Sequence, residues 1–333
     1  LRRQSSTQPL LEVKNLRIGY KTYLGKLKVL NGVNLTVHQG EKVGIIGESG
    51  CGKTTTMKAV LRILATNATV DGGDIQFKGD DILKMDHKRL SEMRRKSITM
   101  IFQDPTAALN PVFKVGDLLA DVIKFSGNID IKAASKKTLR QKSIEALKEV
   151  ALPDPERVLD SYPFQLSGGM RQRICIAMSL STAKDLLIAD EPTTNLDVTI
   201  QDQVLRLMKN LVEKKGLSVI LISHALGTIR GTVDTVYVMY AGNMIEIAET
   251  KDLFSNPLHP YTKGLLESVP KLSGAGFSEG IKGRVPDYIN PPPGCRFHPR
   301  CSYAYEICRK ENPPFFDGDT NDHKVACWLY GKR

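Results

Sequence analysis

Long apolar runs are missing from this chain. Stretches such as Val219-Ile220-Leu221-Ile222 fall far short of the roughly 20 residues that cross a bilayer. No secretory signal precedes them, so the expectation is a cytoplasmic protein unless a partner holds it at a membrane. Closely spaced cysteine pairs of the C-x2-C to C-x4-C kind are also absent, and with them the commonest zinc-binding pattern. The composition is otherwise that of a folded domain, with 41% hydrophobic and 25% charged residues. At 333 residues there is room for one large α/β domain and a smaller one. The net charge of +11 gathers in basic clusters at Lys84 to Lys96 and Lys132 to Lys142. Such clusters suit an anionic membrane face or a nucleic acid, or are simply a solvated basic surface.

The chain is organised around Gly47-Glu48-Ser49-Gly50-Cys51-Gly52-Lys53-Thr54, which fits G-x-x-x-x-G-K-[ST]. Glu41 to Ile46 reads as a buried strand leading in, and Thr55 to Leu61 as a helix leading out. Three glycines let the backbone wrap a polyphosphate, so that successive N–H groups and the positive end of the helix face the anion. Lys53 adds a point charge between the β and γ phosphates, Thr54 offers Mg²⁺ a hydroxyl, and Ser49, Cys51 and Thr55 complete the cradle.

Ahead of the loop, Leu11 to Leu16 and Lys28 to Val37 read as strands of an antiparallel sheet. Tyr20, placed between them, offers a ring to a nucleotide base, with Tyr23 as its rival. After the loop, Asp71 to Asp74 reads as a polar turn before a strand from Ile75 to Lys78. A short apolar strand, Ser97 to Phe102, then ends on Gln103, which can reach a metal and an attacking water. Helical patterns at Val115 to Phe125 and Ala133 to Val150 indicate a helical insert. It closes with Ser167-Gly168-Gly169-Met170-Arg171-Gln172 at the head of a helix, a second anion site. The strand Asp185 to Ala189 delivers Asp190 and Glu191 to a sheet edge, where Asp190 suits the Mg²⁺ shell and Glu191 suits polarising water. Val198 to Lys215 is helical, and the strand Leu217 to Ser223 ends on His224, a candidate γ-phosphate sensor.

In that order these residues resemble the ATP-binding cassette (ABC) family of transport ATPases over about 240 residues. Tyr20 resembles its base-stacking aromatic, Gly47 to Thr54 its Walker A loop, and Gln103 its Q-loop. Ser167 to Gln172 resembles its signature, Leu186 to Glu191 its Walker B strand, Asp197 its D-loop and His224 its switch histidine. The resemblance implies a P-loop NTPase core with an antiparallel β subdomain and a helical subdomain at about 105–180, all within a nucleotide-binding domain at 9–250. It also implies catalytic roles for Glu191, His224 and Gln103, with Mg²⁺ at Thr54, Gln103 and Asp190. In such a family two cassettes dimerise head to tail. Ser167, Gly168, Gly169, Gln172 and Asp197 of one then meet ATP held by the other.

A closer resemblance is to the D-type ATPase subunits of dipeptide and oligopeptide permeases, carried by His259-Pro260-Tyr261-Thr262 and by Gly294 to Cys301. It implies a peripheral protein on the cytoplasmic face of the cell membrane that energises peptide uptake through two permease subunits. The implied partners also include a second ATPase, an F-type subunit or a copy of this chain, and indirectly an extracytoplasmic solute-binding protein. No nucleic acid is implied. The chain departs from the pattern at Ala225, where an acid usually follows the switch histidine, and at Asn195, where a small residue is usual.

Residues 251–333 form a C-terminal extension that holds Cys295, Cys301, Cys308 and Cys327, spaced C-x5-C-x6-C-x18-C among prolines and glycines. So little apolar content calls for a staple. Disulfides suit a reducing cytoplasm poorly, and four loosely spaced thiolates suit a [4Fe–4S] cluster, which the resemblance also implies. Zn²⁺ is the alternative, with His298 and His323 as further ligands.

Overall fold

The computed structural model describes residues 8–126, 135–194, 196–268, 280–318, 320 and 322–331. Asn195 and the start of the second basic cluster lie outside the described residues. The chain divides into two compact units, one formed by Leu1–Lys84 with Ile222–Arg333 and the other by Met85–Leu221.

The first unit contains an antiparallel sheet in which Leu11–Thr22 runs between Gly25–Val37 and Ala68–Phe77, with Asp80–Asp81 at one edge. Its alternation buries Leu11, Val13, Leu16, Ile18, Leu35 and Ile75. Two expectations are corrected here. Asp71 to Asp74 is no turn, because the strand Ala68–Phe77 passes straight through it. The register with Leu11–Thr22 shifts between Lys14 and Arg17, and Asn15 has φ 48°. A Cβ on Gly73 (φ 92°) would collide with the Asn15 carbonyl, so Gly73 serves a β-bulge. Likewise Tyr20 lies within a strand rather than between strands, paired with Leu27 and Ala68, because the hairpin turns only at Tyr23 and Leu24.

The same unit contains a run of strands in the order Phe316–Asp317, Lys324–Val325, Asn243–Glu249, Thr235–Tyr240 and Lys42–Ile46. Lys42–Ile46 pairs in parallel with Thr235–Tyr240, Val43 opposite Thr235 and Ile46 opposite Val238. Val43, Ile45, Ile46, Val236 and Val238 are fully buried, as strands covered on both faces require.

The C-terminal extension does not stand apart as a poorly cored segment. It shares the core of the first unit. Tyr261 and Phe297 pack on Tyr240 with ring centroids 4.7 and 5.0 Å away, and Val325 is buried beneath Leu258 and Cys327. Buried Glu246 ties this region down, accepting from the backbone N–H groups of Leu258 (2.7 Å) and His259 (2.9 Å) and pairing with His323 Nε2 at 2.8 Å. Burial pushes the Glu246 carboxyl up, but the hydrogen bonds from His323 and the two backbone donors prevail and hold it below the usual carboxylate range.

In the second unit, Ile98–Ile101 pairs in parallel with Leu186–Asp190. Helices Val115–Phe125, Lys136–Glu149, Pro155–Asp160 and Gly168–Thr182 pack around Leu119, Leu147, Val158 and Ile174, all fully buried. Helices His87–Lys96 and Val198–Lys215 complete it. Asp86, Ser135 and Asp197 cap three of these helices, each accepting a backbone N–H of the first turn.

Candidate nucleotide site

The strand Lys42–Ile46 ends in the phosphate loop, and the helix Lys53–Val60 begins directly after it. Gly47 has φ 151°, and a Cβ there would strike the Met239 carbonyl oxygen, so glycine is required for the sharp exit from the sheet. The helix N-cap is Gly52, which supplies no side-chain cap, so no side chain of its own competes for the first-turn N–H groups that an anion would use. Lys53 is buried, its Nζ donating to the carbonyls of Gly47 (2.8 Å) and Glu48 (3.0 Å). The ammonium is thus held against the loop backbone. Thr54 and Thr55 stay partly open to solvent, whereas Cys51 is buried and burial pushes its thiol up. His224, in the same unit, is exposed beyond the strand Ser218–Ile222. Ala225 takes the N-cap of the helix Leu226–Thr232 and has no side chain with which to cap it.

In the second unit, Asp190 is buried at the end of its strand, and Glu191 follows in the left-handed region at φ 46°. A non-glycine residue held there is strained, a condition that clusters at functional sites. Gln103 Nε2 (2.7 Å) and Thr194 Oγ1 (3.1 Å) both donate to Glu191 Oε2, so the carboxylate is held in one orientation. Thr194 was not among the sequence candidates. Its hydroxyl three residues past the carboxylate was the available signal.

Also in this unit, Ser167, Gly168, Gly169, Arg173, Leu196 and Asp197 line one open cavity of about 520 Å³. Ser167 caps its helix through Met170 N–H (3.3 Å), and Asp197 caps the next through Ile200 N–H (3.0 Å). Two helix N-termini with small residues make an anion-receptive concavity. Gln172 is not part of it. That side chain is buried on the inner face of the helix, and its Nε2 has no hydrogen-bond partner.

Residues 30–194 match the ABC transporter family, and residues 245–308 match the oligopeptide/dipeptide transporter C-terminal region. The dipeptide transport ATP-binding protein DppD of Bacillus subtilis is 45% identical over 332 residues, spanning 98% of this chain and 96% of that protein. The chain belongs to the ABC transporter ATP-binding proteins. Within that family it groups with the dipeptide and oligopeptide transport branch, and it is an ATPase. The oligopeptide transport ATP-binding protein OppD of Salmonella typhimurium is 42% identical, across 91% of this chain and 89% of that one. A solved ABC cassette, MJ0796, in a dimeric post-hydrolysis state with ADP and Pi, superposes with a TM-score of 0.64 at 26% identity, covering 72% of this chain and 98% of that one. No helix among the described residues of this ABC ATPase is long and apolar enough to cross a membrane.

The four extension cysteines converge. Cys295, Cys301, Cys308 and Cys327 line one small, almost wholly apolar cavity together with His259 and His298, and none is in a disulfide. Yet no group of three or more His, Cys, Asp or Glu side chains among the described residues is disposed to hold a metal ion as it stands. Burial pushes three of the thiols up: Cys301, Cys295 (to about 11) and Cys327 (to about 12). Those three are therefore neutral at physiological pH unless a bound cation or cluster draws the protons off.

Proposed function

We propose that this ABC ATPase powers the uptake of di- or oligopeptides, seated on two permease subunits at the cytoplasmic face of the membrane. The match of residues 245–308 to the peptide-transporter C-terminal region supports that substrate class. Lys53 and the loop N–H groups would hold the β and γ phosphates, and Tyr20 would stack on the base. Thr54, Gln103 and Asp190 would be the residues to hold Mg²⁺, which would offset the phosphate charge. Glu191 takes a proton from water as its oxygen attacks the γ phosphorus, and the bond to the β–γ bridging oxygen breaks to release ADP and phosphate. His224 hydrogen-bonds the γ phosphate. In a head-to-tail dimer with an F-type ATPase or a second copy, Ser167, Gly169 and Asp197 of one subunit complete the site on the other. The aimed, strained Glu191 is the observation that carries the hydrolytic reading.

The test is uptake of a labelled dipeptide into vesicles bearing the chain with its permease partners and binding protein. Uptake should require ATP and vanish in Glu191→Gln, a variant that should still bind ATP. ATP hydrolysis without stimulation by any peptide would set the substrate assignment aside.

We also propose that the four cysteines hold a [4Fe–4S] cluster, on the support of their shared cavity and all-thiol donor set. When bound, the cluster would staple Cys327 to the Cys295–Cys308 segment, a structural role. Iron and acid-labile sulfide assays on protein purified without oxygen decide between this, Zn²⁺ and bare thiols.

A further inference from the structure

The phosphate loop contains an acid, Glu48, in the stretch that has to receive a polyanion. A carboxylate so placed opposes ATP unless its charge is met. It is met from the far end of the sequence. Arg300 Nη1 and Nη2 grip the two Glu48 carboxylate oxygens at 2.8 and 3.2 Å, a bidentate fork. Arg300 is itself fixed by the carbonyls of Lys282 (2.9 Å) and Ile281 (3.0 Å), and its side chain is only 5% exposed. Its backbone sits in the short turn His298–Arg300, between Cys295 and Cys301.

Two tyrosines of the same extension shape the loop. Glu48 N–H donates to Tyr261 Oη (2.8 Å), and Tyr288 Oη donates to the Gly50 carbonyl (2.8 Å). Gly242 N–H donates to the Cys51 carbonyl, also at 2.8 Å. In a trans peptide the carbonyl and the following N–H point opposite ways, so holding the Cys51 carbonyl from outside turns Gly52 N–H toward the anion.

We propose that Arg300 is a positioning residue of the ATP site, acting through Glu48: it masks the Glu48 carboxylate from the phosphates, so that the extension sets the nucleotide affinity of the loop. This rests on the loop being the ATP site. The mask is electrostatic, which gives it a signature that a brace lacks: removing the acid must compensate for removing the base.

The experiment measures binding of a fluorescent ATP analogue with Mg²⁺ to the purified full chain. Arg300→Gln should weaken binding about tenfold. Arg300→Lys, which keeps the charge, and Glu48→Gln should each stay within about threefold of wild type. The double variant Arg300→Gln/Glu48→Gln should regain wild-type affinity within about threefold. Wild-type affinity in Arg300→Gln, or a double variant as weak as Arg300→Gln alone, overturns the proposal. Lys53→Ala reports separately on the loop: if it binds as wild type does, the loop is not the nucleotide site and the proposal falls with that reading.

Discussion

His259 should make the fold acid-sensitive within a defined window. The side chain is 1% exposed, caps the helix Pro260–Glu267 by accepting Tyr261 N–H at Nδ1 (3.0 Å), and is held down to about 4 by burial, which the nearby Glu246 carboxylate only partly opposes. An unfolded chain binds a proton near pH 6.5 that the folded chain refuses until about pH 4. Stability should therefore fall as pH drops from 6.5 toward 4 and level off below, by about 3 kcal/mol in all at 1.4 kcal/mol per pH unit. Glu246 adds to this at lower pH, since a carboxyl held below its usual value loses its contribution as pH falls through the folded value. His259→Asn retains an acceptor oxygen for the cap and removes the titration. Urea unfolding at half-unit pH steps should show the variant flat between pH 6.5 and about 4.5 while wild type slopes. Parallel curves would refute the linkage, whatever their offset.

Further outcomes follow from named contacts. Glu191→Gln should lower ATP turnover by about 10² to 10⁴ and retain ATP, measured by phosphate release and by nucleotide content after gel filtration. Gly47→Ala, which forces a methyl into the Met239 carbonyl and a side chain into φ 151°, should cost about 3 kcal/mol or more and abolish ATP binding, seen as a lower melting temperature with no rise on adding MgATP. Ala225→Asp, supplying a cap to the helix Leu226–Thr232, should stabilise by about 1 kcal/mol in denaturant unfolding. Cys301→Ser combined with Cys308→Ser should remove bound iron and sulfide where wild type carries about four of each, by colorimetric assay and absorption spectrum.

What was legible in the sequence was local. The strand, loop and helix around Lys53 and the helices at 115–125 and 198–215 follow from periodicity and punctuation over a dozen residues. Asp71 to Asp74 was misread because two glycines between acids carry the same signature in a turn as in a bulge, and only the partner strand at Asn15 decides between them. Tyr20 was misplaced because its strand leaves the core there and alternation fades before the hairpin turns. The Thr194 hydroxyl on Glu191 was within reach of a local reading. The Arg300 fork on Glu48 was not, since 252 residues separate the partners and no periodic pattern records such a return.

The two-residue strands Lys324–Val325 and Phe316–Asp317 have a consequence for shortened versions of the chain. By pairing Glu246 and Ile247 with Val325 and Lys324, they cover the middle of one margin of the seven-residue strand Asn243–Glu249, and Phe316–Asp317 forms a two-residue outer rim. A short rim is a poor template for another strand. Removing residues after 312 would strip this cover and bare a long, mostly apolar hydrogen-bonding edge, so a cassette trimmed to its ATP-binding motifs should self-associate through that edge.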